Sequence, residues 1–461
     1  MRRKTLLCLA DRGDYTKHVF RIVHSEPYGR MASKSQLFVK PASEAFRTRL
    51  SHTEEVLQIA KLMNEQLELN GGLIETMCRG HDIGHTPFGH VGERVLQRCI
   101  DDVLSARPFK QYLQEAPKEP DGRPLDHKRE LTRFFHHATN SARLLAIHPC
   151  FIETPDVVIS GVSAHGWSPW TPPSWDHADT LASKEVLHTP KSLPLSYEAQ
   201  LVSIADQVSS AIHDIRDLYQ GRSYTHFELD DLIHDCPAGD AEFVKLIAEG
   251  VSSNLHDTVR SVCLLIAASI ASETLQSGAK NAKDANDETK RLRFRTGLQN
   301  QVAHCEMLRE KVIGRGGTWF ATRDSTAGAY VRAVFDALWA RSRSRKPDPG
   351  NRRLEPLHES FCTFRSRIVR NYRPKPAGVA FWDGYIRSRL SSKHDPDALT
   401  LLVDVVDYVA SLTDRSCVAV FRLVEADFEQ AFSELPHFGG PDEHMPKTKE
   451  SPPTRKRTPR K

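Results

Sequence analysis

The chain has 461 residues, enough for one large helical domain or two ordinary ones around a substantial core. Lys and Arg (63) nearly balance Asp and Glu (59), so the net charge of +4 gives little support to a nucleic-acid partner. Nine scattered cysteines form no C-x-x-C pair, which argues against a zinc ribbon, a thioredoxin-type site or a disulfide framework and points to a reducing compartment.

In chain order, residues 1–10 place basic residues before a short apolar stretch, but Asp11 and Arg12 cut it off too early for the apolar part of a signal peptide. No apolar run approaches the roughly 18 residues that a membrane span needs. A soluble, cytoplasmic protein is expected.

Helical periodicity dominates the rest of the chain. Val56, Leu57, Ile59, Ala60, Met63 and Leu67 predict a helix over 53–69, with Ser51 and Thr53 as caps and a stop at Asn70-Gly71-Gly72. Further helices are predicted over 73–81, 129–147, 196–219, 240–275, 285–312, 325–341 and 397–433. Residues 101–128 mix charge with proline and read as a surface excursion. The Pro- and Trp-rich stretch 166–195 reads as an irregular loop or lid, and 276–291 as a mobile linker. Residues 436–461 are a basic tail expected to be disordered, and no internal repeat is evident.

The most informative stretch is HDIGHTPFGH at residues 81–90. A His followed directly by an Asp cannot aim both side chains along one face in mid-helix. At a helix end, where the backbone turns away, His81 and Asp82 can converge on one ion. Imidazole with carboxylate suits Mn, Mg, Fe, Co or Zn. His52, at the start of the amphipathic helix, and Asp206, inside the apolar run LVSIAD, offer two more ligands. A carboxylate in that apolar setting is costly without a cation. The set His52, His81, Asp82 and Asp206 therefore makes a four-ligand site from three helices.

The order H…HD…D resembles the HD-domain phosphohydrolases. Within them, the chain is similar to the bacterial dGTPase family and to its relative, the vertebrate SAM-and-HD-domain dNTPase. The likeness is carried by RIVHS (21–25), KSQLF (34–38), RTRLSH (47–52), the string from His81 through Glu93, EAQLVSIAD (198–206) with His213-Asp214, and DYVASLTD (407–414). It implies an all-α fold, with an HD core over about 45–220 embedded in one large helical domain at 21–435. An N-terminal segment, 1–20, precedes it, and 221–435 form the C-terminal helical part.

The resemblance implies metal-dependent hydrolysis of dGTP or another dNTP to deoxynucleoside and inorganic triphosphate, with Mn or Mg as the favoured ion. His137, in FFHHATNSAR, matches the family's acid at the scissile bond, and Glu93 matches the residue that orients it. His85 and His90 would contact the α-phosphate region, and Arg49 resembles the family's phosphate-binding Arg. Gln36 and Asp214 are expected near the sugar. Asp206, Ser210 and Asp214 are spaced to share one helix face.

Departures from the family pattern fall in the nucleotide pocket. Ser210 stands where a Tyr is usual, Gln207 replaces an Asp, Ala138 an Asn, Gly29 an Arg, and Ala164 a Lys. The preferred base is left open. Relatives form homo-oligomers controlled by dNTPs or single-stranded DNA, so an oligomer and a single-stranded nucleic-acid effector are implied. Two other readings are a different HD nucleotidase or phosphodiesterase, and a nucleotide- or nucleic-acid-binding regulator using the tail around Arg455-Lys456-Arg457.

Overall fold

The computed structural model describes residues 14–37, 46–105, 135–151, 153–163, 196–220, 255–277, 317–343, 355–370 and 396–424, with scattered residues between 285 and 302. Every regular element among the described residues is helical, and the one strand-like pairing is an isolated antiparallel bridge between Ser35 and Thr48. The all-α expectation is met.

Helix α1 (Thr16–Val23) and the short α2 (Glu26–Arg30) precede α3 (Arg49–Leu67). α1 runs across residue 20, and Tyr15 and Ile22 are buried in the same core as α3. Local chemistry is most explicit in α3. The Thr48 hydroxyl accepts from the Ser51 N–H at 3.3 Å, and the Ser51 hydroxyl accepts from the Thr48 N–H at 2.9 Å. This reciprocal capping box starts the helix at Arg49, so the expected caps Ser51 and Thr53 lie inside it. Arg49, His52, Thr53, Val56, Leu57, Ala60, Met63 and Leu67 recur at three- and four-residue steps and are all buried. The metal-binding candidate His52 is therefore set one turn ahead of an apolar stripe, on the core side. Glu68 ends the helix in the left-handed region at φ 53°, and Asn70 caps α4 (Gly71–Gly80) by accepting from the Leu73 N–H at 3.1 Å.

The remaining helices are α5 (His90–Ser105), α6 (His137–Ile147), α7 (Asp156–Ser163), α8 (Tyr197–Gln220), α9 (Leu255–Gln276), α10 (Gly317–Arg343), α11 (Glu355–Arg370), α12 (Pro396–Ser411) and α13 (Asp414–Val424). α3 packs on α4, α8 and α9, whereas α10 packs on α5, α12 and α13. Two hydrophobic cores result, one around Met63, Leu73, Leu145, Val208 and Ile266, the other around Phe88, Leu96, Val334, Phe361, Val409 and Phe421. Residues 81–90 cross from one to the other, with Ile83 in the first core and Phe88 in the second. Gly84 makes the crossing possible, because a Cβ there would stand 2.3 Å from the backbone nitrogen of Ser141 on α6.

The single helix expected over 397–433 is two helices in its described part. It breaks at Leu412 and Thr413, where the Thr413 hydroxyl accepts from the Ser416 N–H at 3.1 Å and restarts the chain as α13. Helices α1, α2, α5, α7 and α11 have no counterpart among the predicted segments. Most of the excursion at 101–128, the stretch 166–195, most of 276–291 and 285–312, and the tail from 436 lie outside the described residues. So do Ala164 and the predicted helical residues 129–134 and 240–254.

Candidate active site

Two donor clusters are built on the crossing loop and the helices around it. In the first, His52 on α3, His81 at the C-terminal cap of α4 and Asp206 on α8 each offer one ligand atom, all within 4.8 Å of one another. His52 Nε2 lies 2.7 Å and His81 Nε2 3.7 Å from the same Asp206 oxygen, Oδ1. The His81 ring is oriented from behind: its Nδ1 stands 2.6 Å from the Cys78 carbonyl oxygen. A carbonyl oxygen only accepts, so Nδ1 carries the proton and Nε2 presents a lone pair to the cluster.

Asp82 flanks this group. Its Oδ1 lies 3.7 Å from His81 Nε2, while Oδ2 accepts from Arg49 Nη1 at 2.9 Å. Burial raises a carboxyl's pKa, but His81, Arg49, His85 and His137 together hold Asp82 well below the usual carboxylate range. Two imidazoles, one carboxylate and a second, anionic carboxylate alongside form the kind of mixed N/O donor set that a divalent cation takes. The residues present thus fit the ion that the sequence motif implies.

The second cluster is His85, His90, Glu93 and His137, again within 4.8 Å. Glu93 is at its centre. Its Oε2 lies 2.9 Å from His90 Nδ1, and its Oε1 accepts the backbone N–H of His137 at 2.8 Å and lies 3.2 Å from His137 Nδ1. That backbone N–H belongs to the first turn of α6, where a carboxylate satisfies an orphan donor and the positive end of the helix together. With Nδ1 turned to Glu93, Nε2 of His137 is the nitrogen on the far side of the ring from that carboxylate. Burial lowers a histidine's pKa, yet the Glu93 charge and hydrogen bond outweigh it, so His137 is raised above its ordinary value. Glu93 is correspondingly held well below the carboxylate range against its burial. His85 stacks on His137 at 4.2 Å between ring centroids and 13° between planes. Burial, Arg49 and His137 push His85 well below the ordinary histidine value, so a neutral ring lies against a protonatable one.

Arg49 faces both clusters. Nε donates to the Ser35 carbonyl at 3.3 Å, Nη1 holds Asp82, and the buried Nη2 has no hydrogen-bond partner among the described residues. Gln36 runs beside Gly89, where φ is 58° and a Cβ would stand 2.9 Å from Arg49 Nη2 and 3.5 Å from the Ser35 and Gln36 carbonyl oxygens, so a side chain there would be strained. Gln36 Oε1 is buried and likewise unbonded among the described residues. Asp214 is buried against Arg47, which also donates to Asp217 at 2.8 Å and to Glu55 at 3.2 Å. The sequence pattern, which puts Asp214 at a sugar, carries no sign of this partner.

Three further contacts involve residues to which the sequence motifs assign no role. The Asp414 carboxylate accepts the Phe88 N–H at 2.7 Å through one oxygen and the Ser35 N–H at 2.9 Å through the other. Lys34 Nζ, fully buried, donates to the carbonyls of His85 and of Ala410, the latter at 2.9 Å. Arg143 on α6 makes a two-pronged pair with Asp407 on α12. The N-terminal KSQLF segment, the crossing loop and the DYVASLTD segment are thus one hydrogen-bonded unit.

Residues 49–211 match the HD domain family. The chain is 28% identical over 298 residues to a deoxyguanosinetriphosphate triphosphohydrolase-like protein of Azoarcus sp., which covers 63% of this chain and 70% of that one. It is 30% identical over 211 residues to a protein of the same description from Caldanaerobacter subterraneus subsp. tengcongensis, covering 46% and 47%. A third, from Cereibacter sphaeroides, is 31% identical over 230 residues, covering 50% and 54%. The chain spans about half the length of the last two relatives.

Proposed function

We propose that this chain, a member of the HD-domain, deoxyguanosinetriphosphate triphosphohydrolase-like family, hydrolyses a deoxynucleoside triphosphate to deoxynucleoside and inorganic triphosphate with a divalent metal ion. The observation that carries this reading is the adjacency of two differently equipped clusters. One is a His/His/Asp donor set flanked by Asp82, and the other is a His137–Glu93 pair in which the carboxylate raises the pKa of the imidazole.

His52, His81, Asp82 and Asp206 would hold the ion. When bound, a divalent ion supplies charge neutralisation at the phosphates and activation of water. The chain's own groups do the rest. Arg49 Nη2 and the imidazoles of His85 and His90 receive phosphate oxygens, and the buried nitrogens of Arg49 and His85 that have no hydrogen-bond partner among the described residues are the donors that such an anion would satisfy. His137 Nε2 gives a proton to the departing 5′ oxygen, and Glu93 fixes the ring and stabilises its cationic form. Gln36 and Asp214 lie toward the sugar in this reading, with Asp214 reaching it from its place beside Arg47. A cytoplasmic homo-oligomer with single-stranded nucleic acid as effector is proposed on the family resemblance. Among the described residues no helix is long and apolar enough to cross a membrane.

The test is to incubate the purified protein with each dNTP and with GTP in Mn or Mg and resolve the products. Deoxynucleoside with intact triphosphate supports the reading. Released orthophosphate or pyrophosphate would move the chain to another HD chemistry.

A further inference from the structure

The second cluster is unlike a simple phosphate cradle in one respect: its centre is a carboxylate. Glu93 carries a charge that repels phosphate and attracts a cation, and three imidazoles surround it. Ligand atoms around a tetrahedral zinc, at about 2.0–2.1 Å from the ion, stand roughly 3.3 Å from one another. The cluster already approaches that spacing, with His90 Nδ1 at 2.9 Å and His137 Nδ1 at 3.2 and 3.3 Å from the Glu93 oxygens. A second observation points the same way. His85 is fully buried, and neither of its ring nitrogens has a hydrogen-bond partner among the described residues. Access is present too, since the His90 side chain is 56% exposed.

We propose that His85, His90, Glu93 and His137 form a second metal site, distinct from the His52/His81/Asp206 set, that takes a borderline divalent ion such as zinc. Imidazole-rich sites with one carboxylate favour zinc over the hard magnesium ion, so the two clusters differ in preference. A nitrogen that binds a metal carries no proton. A metal on Nδ1 of His137 takes the place of the Nδ1 proton and of its contact with Glu93, so the ring no longer forms the imidazolium that releases a proton from Nε2, and excess zinc shuts off turnover. That inhibitory consequence rests on the function proposed above, whereas the metal site itself does not.

The experiment is equilibrium dialysis of the full-length protein against zinc, with bound metal counted by mass spectrometry. Wild type is expected to bind one zinc more than His90→Ala or His90→Gln, both of which change a half-exposed side chain and should keep the wild-type melting curve. His52→Ala should lose a different equivalent and retain the one that depends on His90. A zinc count unchanged by both His90 substitutions would overturn the second site, whatever the protein hydrolyses. A protein that binds the extra zinc but yields no triphosphate from any dNTP would instead overturn the functional reading and leave the site standing.

Discussion

Asp414 accepts the backbone N–H of Phe88 at 2.7 Å, joining the start of α13 to the middle of the crossing loop across 326 positions of sequence. Phe88 sits at φ 59°, in the left-handed region that a bulky side chain rarely adopts, so the loop conformation needs such outside support. Asp414→Ala would leave the N–H groups of Phe88 and Ser35 buried and unsatisfied, at a cost of about 1–3 kcal/mol each. The expected outcome is a lower melting temperature and slower turnover with the metal content of the His52/His81/Asp206 set unchanged. Thermal melts, steady-state rates and metal analysis on one preparation check it.

Proton transfer from His137 sets a pH limb. Its pKa is raised by Glu93 against its burial, so it stays protonated to higher pH than a free histidine, and the rate should fall as pH rises through that raised value. Glu93→Gln removes the charge that raises it, so the limb should move to lower pH. His137→Ala should lose about 10²–10⁴-fold in rate and keep the metal of the His52/His81/Asp206 set. A pH–rate profile for wild type and Glu93→Gln reads the shift, and an unmoved limb would detach Glu93 from the acid.

Asp206 provides the oxygen shared by both imidazoles of the first cluster. Asp206→Ala should abolish metal retention at the His52/His81/Asp206 set and turnover together, whereas His137→Ala separates these two readouts. Metal analysis after dialysis, set beside activity, distinguishes the two variants. Full activity in Asp206→Ala would remove it from the metal site.

Arg47 is buried among Asp214, Asp217 and Glu55, and Asp217 is driven up to about 6 by its burial despite the guanidinium. Arg47→Met would strand buried carboxylates and should destabilise the fold by about 3–5 kcal/mol. Denaturant unfolding measures this. The double change Arg47→Met with Asp217→Asn should recover part of the loss, because it removes one stranded charge.

Much of the site is legible in the sequence because its residues announce themselves locally. His81 and Asp82 end a helix just before Gly84, which lets the chain pass close against the α6 backbone, and His52 opens an apolar stripe readable at three- and four-residue steps. Leu96, Cys99, Ile100 and Val103 carry the same kind of spacing in α5, but that helix begins inside the motif at His90, where the motif masks its start. The break between α12 and α13 is hidden because apolar periodicity continues through Leu412, and only the Thr413 cap interrupts it. The partners of Lys34, Asp414 and Arg47 are set by contacts between distant segments, which no local pattern encodes.

Central to the proposed reaction is attack of water on the α-phosphorus, with His137 protonating the departing 5′ oxygen. The most direct measurement is turnover of a dNTP by the metal-loaded protein in water enriched in heavy oxygen, with the products weighed by mass spectrometry. The predicted result is one heavy oxygen in the released triphosphate and none in the deoxynucleoside. Label in the deoxynucleoside, or a monophosphate in its place, would contradict it.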